Sequence, residues 1–440
     1  MPAVLTTIKE DLLQFIWEQQ LFDRHALRTT DGKPVEVIKP GRLQSNSGPD
    51  LSDARVRIGG QIWAGTIEVH VRSSEWYAHG HEKDPAYDNV VLHVVMLHDM
   101  AVRTARGGRV PTVEIGPRIA PQGLATYERL MKGRAWVPCA DMIAHVDPQR
   151  IGPWLERVMV ERLERKTTEV EALYVQLDRD GAATFYHMLL RALGMKVNAE
   201  PFGMLALALP LNILLKYRDD LFRTEALLFG QAGLLQVDFV DDHPRNLQHE
   251  HALLSSLHQL KPVPVAAWKF ARLHPPSFPT VRVAQLARLI ACGDGAFGHL
   301  LGTNEVRAIV AGLDVTADGY WMDHFRFDQP SVQSPKHLGR SMAEHVIINA
   351  IVPFRFAMAC MTGDEVGRQQ ALELLEGIPP ERNGIIDQWS SLGLMADSAA
   401  RSQALIELKN QYCAGRKCLT CGIGVELMKR DLPSRTRPIR

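Results

Sequence analysis

Two glycines, Gly59-Gly60, sit between two short runs in which apolar and polar residues alternate, and this pairing constrains the chain more than any other stretch. Alternation around a two-glycine turn predicts a β-hairpin. In the second run Trp63, Gly65, Ile67, Val69 and Val71 share one face, because strand side chains alternate with period two. Glu68 and His70 therefore project together from the other face. A carboxylate and an imidazole so placed form a pair that can hold a divalent metal or handle a proton. Counting back through the turn in strict register sets Arg57 opposite Ile62, Asp53 opposite Thr66 and Leu51 opposite Glu68. Asp53 then shares the Glu68/His70 face. Asp50 joins them only through a β-bulge, or by preceding the regular strand.

The flanking text extends this into a small mixed sheet. Residues 8–22 carry Ile8, Leu12, Phe15 and Ile16 at helical spacing, with Glu18 on the same helix. Residues 35–38 read as a short strand ended by Pro40-Gly41, residues 90–97 as a strand buried on both faces, and Val110 to Ile115 as another. His93, inside the apolar run, reads as a core histidine. Between these strands His79-Gly80-His81, near Asp84 and Asp88, offers two imidazoles that can extend a metal site.

From about residue 150 the pattern turns helical, with stretches near 182–194, 202–215, 219–235, 247–260, 280–292 and 304–312 broken by Pro and Gly. Cys413, Cys418 and Cys421 then fall within nine residues. Three thiols at that spacing suit Zn²⁺ or an iron–sulfur cluster, and a fourth ligand must come from elsewhere. Cys139 is the best candidate, since Cys292 and Cys360 lie in apolar helical text and read as core residues. The basic, Pro-containing end of the chain reads as disordered.

The expected fold class is therefore α+β. Residues 1–120 would form the sheet domain, 121–149 a linker, 150–410 a helical domain, 411–424 the cysteine cluster, and 425–440 a helix end and basic tail. The start lacks the features of a signal peptide, and the richest apolar run, Met204 to Leu215, is too short to span a bilayer. No membrane partner is expected, and the cytoplasm is the expected compartment. Lys plus Arg and Asp plus Glu number 50 each, which is not the balance of a non-specific nucleic-acid binder.

Gly48-Pro49-Asp50, a hairpin, then Glu68-Val69-His70 resembles the signature of the PD-(D/E)xK nuclease superfamily. That resemblance implies that Asp50 and Glu68 hold Mg²⁺ or Mn²⁺, with His70 in the position of the lysine that assists the attacking water. It also implies a glutamate on a helix near the metal, for which Glu18 is the candidate. The wider text, with SGPD, IEVHVRSSEW, YDNVVLHVV, WKFARL, FPTVRVAQLA and CLTCGIG, resembles the bacterial family catalogued as domain of unknown function 2851.

The expected activity is metal-dependent hydrolysis of phosphodiester bonds in DNA or RNA, with Asp50, Glu68, His70 and His81 as the candidate catalytic residues. The alternative is a non-catalytic scaffold that binds nucleic acid or a protein. A third reading is another metal hydrolase built on Glu68, His70, His79 and His81.

Overall fold

The structure is a computed structural model that describes residues 8–44, 47–291 and 297–432. The fold is α+β, and its own contacts divide it into two compact units. The first comprises residues 8–44, 47–155, 388–394 and 406–432; the second comprises residues 156–291, 297–387 and 395–405. The first unit thus runs past residue 120 and takes in the cysteine-rich segment. Cys292 and residues 433–440 of the basic tail lie outside the described residues.

The first unit opens with helix α1 (Glu10–Glu18), whose first turn carries Glu10 and Asp11 where the helix dipole favours acids. Leu12, Leu13, Phe15, Ile16 and Trp17 are buried, and α1 packs on the sheet. Trp17 stacks on Phe22 at 5.4 Å, and its indole N–H donates to the Pro40 carbonyl at 3.0 Å. Trp17→Ala removes both the packing and the bond. The expected cost is about 3–5 kcal/mol of unfolding free energy, read by urea denaturation.

Six strands make one mixed sheet: β1 (Val35–Lys39), β2 (Arg42–Leu43), β3 (Leu51–Ile58), β4 (Gln61–Arg72), β5 (Val90–Leu97) and β6 (Thr112–Glu114). The order is β1-β3-β4-β5-β6, with β2 beside β3. Pairs β1–β3, β2–β3 and β3–β4 are antiparallel, whereas β4–β5 and β5–β6 are parallel. Gly59 and Gly60 both have positive φ, as a tight hairpin turn between β3 and β4 requires.

Strict register fails four residues from that turn. Ala54 pairs with Gly65 but Leu51 pairs with Ile67, so Ser52 and Asp53 together face Thr66. This is a β-bulge, and Asp53 takes a left-handed φ of 56° within it. Only the second half of β4 is in the core: Trp63 is exposed, while Ile67 through His70 are buried on both faces. The parallel β4–β5 pair needs a crossover, and residues 73–89 supply it with the short helix α2 (Glu75–Ala78) and the His79–His81 segment. A Cβ on Gly65 would lie 2.5 Å from the Asn89 carbonyl oxygen, so only glycine lets the end of that crossover lie against β4.

The expected linker is partly helical. Helix α3 (Pro121–Lys132) packs against helix α5 (Gly422–Asp431), with the Thr126 hydroxyl donating to Asp431 at 2.5 Å. Helix α4 (Pro148–Gln176) begins in the first unit and continues into the second.

Helices dominate the second unit, including Gly181–Leu193, Met195–Ala208, Leu221–Gln231, Asp242–His258, Pro279–Ala291 and Val306–Leu313. These follow the periodic stretches read from the sequence. The unit continues through helices Arg340–Val346 and Val352–Thr362, joined by a π-helical turn, and Glu365–Glu376. Among the described residues, Arg340–Thr362 is the one helix long and apolar enough by itself to cross a bilayer, and 61% of its most apolar window is buried in the protein.

Candidate metal centre

The bulge decides which acid stands beside Glu68. It advances β3 by one residue and places Asp50, just before the strand, level with Glu68. The Asp50 N–H donates to Glu68 Oε2 at 3.0 Å, and the Val69 N–H donates to Asp50 Oδ2 at 3.0 Å. The Gln14 side chain also bonds the Asp50 carboxylate. Asp53 is turned to solvent, where it pairs with Lys39, and it does not share the Glu68 face.

Three histidines close on the same spot from β4 and the crossover. His70 Nε2 is 3.2 Å from His79 Nδ1 and 3.6 Å from Glu68 Oε1. His81 Nε2 is 3.2 Å from Glu68 Oε1, yet it is buried and makes no hydrogen bond. The ligating atoms of His70, His79 and His81 all lie within 4.8 Å of one another. Four ligand atoms around a tetrahedral ion at about 2.0–2.1 Å stand roughly 3.3–3.4 Å apart. Three of the six separations, at 3.2, 3.6 and 3.2 Å, are close to that spacing. Stacking of His81 on Tyr87 at 3.8 Å, and an edge contact with Trp76 at 5.4 Å, hold its ring in place.

His93, expected as a core histidine, is fully buried but also serves the site: its Nε2 lies 2.9 Å from His70 Nδ1. If His70 is to present a lone pair at Nε2, its proton is on Nδ1 and His93 Nε2 accepts it. His93 then carries its own proton on Nδ1, which has no hydrogen-bond partner. This is how an outer partner fixes the tautomer of a ligating histidine.

On helix α1 it is Glu10, and not Glu18, that stands near Asp50 and Glu68. Glu10 feels the charges of His79, Asp50 and Glu75, and its carboxyl is raised chiefly by burial. Glu18 is eight residues further along α1, about 12 Å down the axis.

Burial governs the electrostatics. It lifts Glu68 to about 8, with the charges of Asp50 and Glu10 adding to the rise. It raises Asp50 as well, against the hydrogen bonds from Val69 and Gln14. His70 is pushed down to about 2 by burial and then by His93, His81 and His79, and His93 to about 3 by burial and His81. These two imidazoles are neutral at pH 7, the state in which they donate lone pairs.

The other predicted ligands share one unit. Cys139, Cys413, Cys418 and Cys421 all belong to the first unit, while Cys360 lies in the second, on helix Val352–Thr362.

Residues 10–384 match a family profile described as Protein of unknown function (DUF2851). The chain belongs to the DUF2851 family. No curated protein and no solved structure matches it. The stretch shared with DUF2851 begins at Glu10 and includes Asp50, Glu68, all four histidines of the site and Cys139; the three C-terminal cysteines follow it.

Proposed function

We propose that this DUF2851 protein is a metal-dependent hydrolase whose centre is Glu68, His70, His79 and His81, acting on phosphodiester bonds of nucleic acid. The convergence of three imidazole nitrogens within 4.8 Å, beside a Glu68 oxygen, carries the reading. An imidazole-rich donor set suits Zn²⁺ or Mn²⁺ better than Mg²⁺, which prefers an all-oxygen shell. A cation bound there supplies a Lewis acid that lowers the pKa of water and neutralises charge on a phosphoryl oxygen.

The substrate class rests on the resemblance of Asp50 and Glu68-Val69-His70 to PD-(D/E)xK nucleases, with Glu10 as the helical glutamate. His70 cannot also be the proton acceptor, because one nitrogen faces the ligand cluster and the other is bonded to His93. Asp50 takes that role. Its carboxyl adjoins Glu68, and burial raises its pKa, which makes it a better base than an exposed aspartate.

The test is calorimetric titration of metal-depleted protein with Zn²⁺ and Mn²⁺, followed by cleavage assays on single- and double-stranded DNA and RNA. His79→Ala and His81→Ala should each lose metal affinity and cleavage together. Binding with no cleavage of any of the four substrates would leave a metal-binding scaffold; absence of binding would remove the proposal altogether.

His93 gives a finer check. His93→Leu leaves the His70 Nδ1–H without an acceptor, and metal affinity should fall about 10–100-fold. His93→Gln restores an acceptor and should recover part of that loss. Equal losses for Leu and Gln would mean that His93 only fills space.

A further inference from the structure

We infer that Cys139, Cys413, Cys418 and Cys421 are the four ligands of a second, thiophilic metal centre, zinc or an iron–sulfur cluster, independent of the histidine site. Three of them come from one nine-residue stretch, and the fourth lies 274 residues earlier in the chain (413 − 139). The fold brings these segments together. Cys139 has Cys421 and Cys418 as charge neighbours, and Cys413 has Cys139, Cys421 and Cys418. All four are free thiols; Cys139, Cys418 and Cys421 are buried and Cys413 is partly exposed.

The surroundings are built around the sulfurs. Cys421 directly precedes helix α5, and its sulfur accepts from the Ile423 and Gly424 backbone N–H groups. Backbone N–H donors at a helix start stand where a metal-bound sulfur would carry its charge. The turn leading there is drawn tight. A Cβ on Gly422 would stand 2.7 Å from the Trp154 ring, and one on Gly424 would stand 2.1 Å from the Cys418 carbonyl oxygen.

Arg416 reverses the chain between Cys413 and Cys418 with a left-handed φ of 51°. Its guanidinium donates to the carbonyls of Leu130 at 3.0 Å and Gly133 at 2.7 Å. The segment before Cys139 is thereby tied to the cysteine-rich turn. The same cation stands near Cys418.

The experiment is metal and sulfide analysis of the full chain, expressed and purified without oxygen. Zinc at about one equivalent without visible colour identifies a zinc site, and iron with acid-labile sulfide and visible absorption identifies a cluster. The histidine centre is separated by working in the His79→Ala, His81→Ala background, where any remaining metal belongs to the cysteines. In that background Cys139→Ser and Cys421→Ser should lose the metal, with Tm lower by on the order of 10 °C. Cys360→Ser should change neither.

Should the serine variants fail to fold, mercurial titration of the thiols in the unsubstituted chain replaces them. Metal released in step with thiol modification supports the site. A chain in the histidine-variant background that holds neither zinc nor iron, or whose thiols react with no metal release, overturns it.

Discussion

Glu68→Gln should lower metal-dependent hydrolysis by roughly three powers of ten or more, about 4 kcal/mol of transition-state stabilisation. The amide keeps the shape of the carboxylate and can still accept from the Asp50 N–H, so the fold has no reason to fail. What is lost is the charged oxygen that lies 3.2 Å from His81 and 3.6 Å from His70. The same substitution should act on stability with the opposite sign. Without metal, the folded Glu68 carboxyl titrates near 8, against an ordinary value of 4.5, because burial and Asp50 disfavour its charge. A raised carboxyl stabilises the fold when protonated, and that advantage is lost as pH rises from about 4.5 through 8.

Metal-free Glu68→Gln should therefore melt above the metal-free parent at pH 8, by a few kcal/mol in the order-of-magnitude sense. The two should converge below pH 4.5. Saturating Zn²⁺ should reverse the ranking, because only the parent keeps the full ligand set. Calorimetric melts at three pH values, with and without metal, read all of this. Undiminished hydrolysis by the variant would assign the activity to another site or to a contaminant.

The second large effect concerns the segment that returns to the first unit. A chain ending at Leu405 should lose the cooperative unfolding transition of that unit. Leu408, Ile423, Leu427, Met428 and Leu432 are each buried there, at 3% exposure or less. At about 1.5–3 kcal/mol per side chain they contribute roughly 8–15 kcal/mol, an upper figure because the unfolded chain already hides some apolar surface. That equals the whole stability of an ordinary domain. Near-UV circular dichroism follows Trp17 and Trp76, both fully buried in the sheet region. A truncated chain that keeps a tryptophan signal and a sharp melt would show that the unit stands without its C-terminal part.

These expectations indicate what sequence pattern can and cannot carry. The hairpin was legible because Gly-Gly between alternating runs is a local signal, and Glu68, His70, His79 and His81 lie close in sequence. The position of Asp50 was not. It depends on a bulge formed by Ser52 and Asp53, and neither residue type announces an extra step in a strand. Glu18 was read as the helical glutamate, whereas Glu10 is the acid of α1 whose charge meets Asp50 and His79. Only the packing of α1 against β4 separates them. His93 read as a core residue because an apolar run surrounds it, and its bond to His70 crosses from one strand to the next. The return of residues 406–432 to the sheet unit leaves no periodicity at all, so a reading by consecutive segments divides the chain elsewhere.

That return reverses the order in which the two units can be completed during synthesis. The ribosome adds about 250 residues between Leu155 and Ile406, which at 5–20 residues per second takes about 12–50 s. Through that interval the faces of α3 and of residues 143–145 that later meet α5 have no partner. The second unit has all its residues once Leu405 is made. The half of the protein that begins first is thus the last to close, and a nascent chain carries an open apolar surface that a holding chaperone would have to cover.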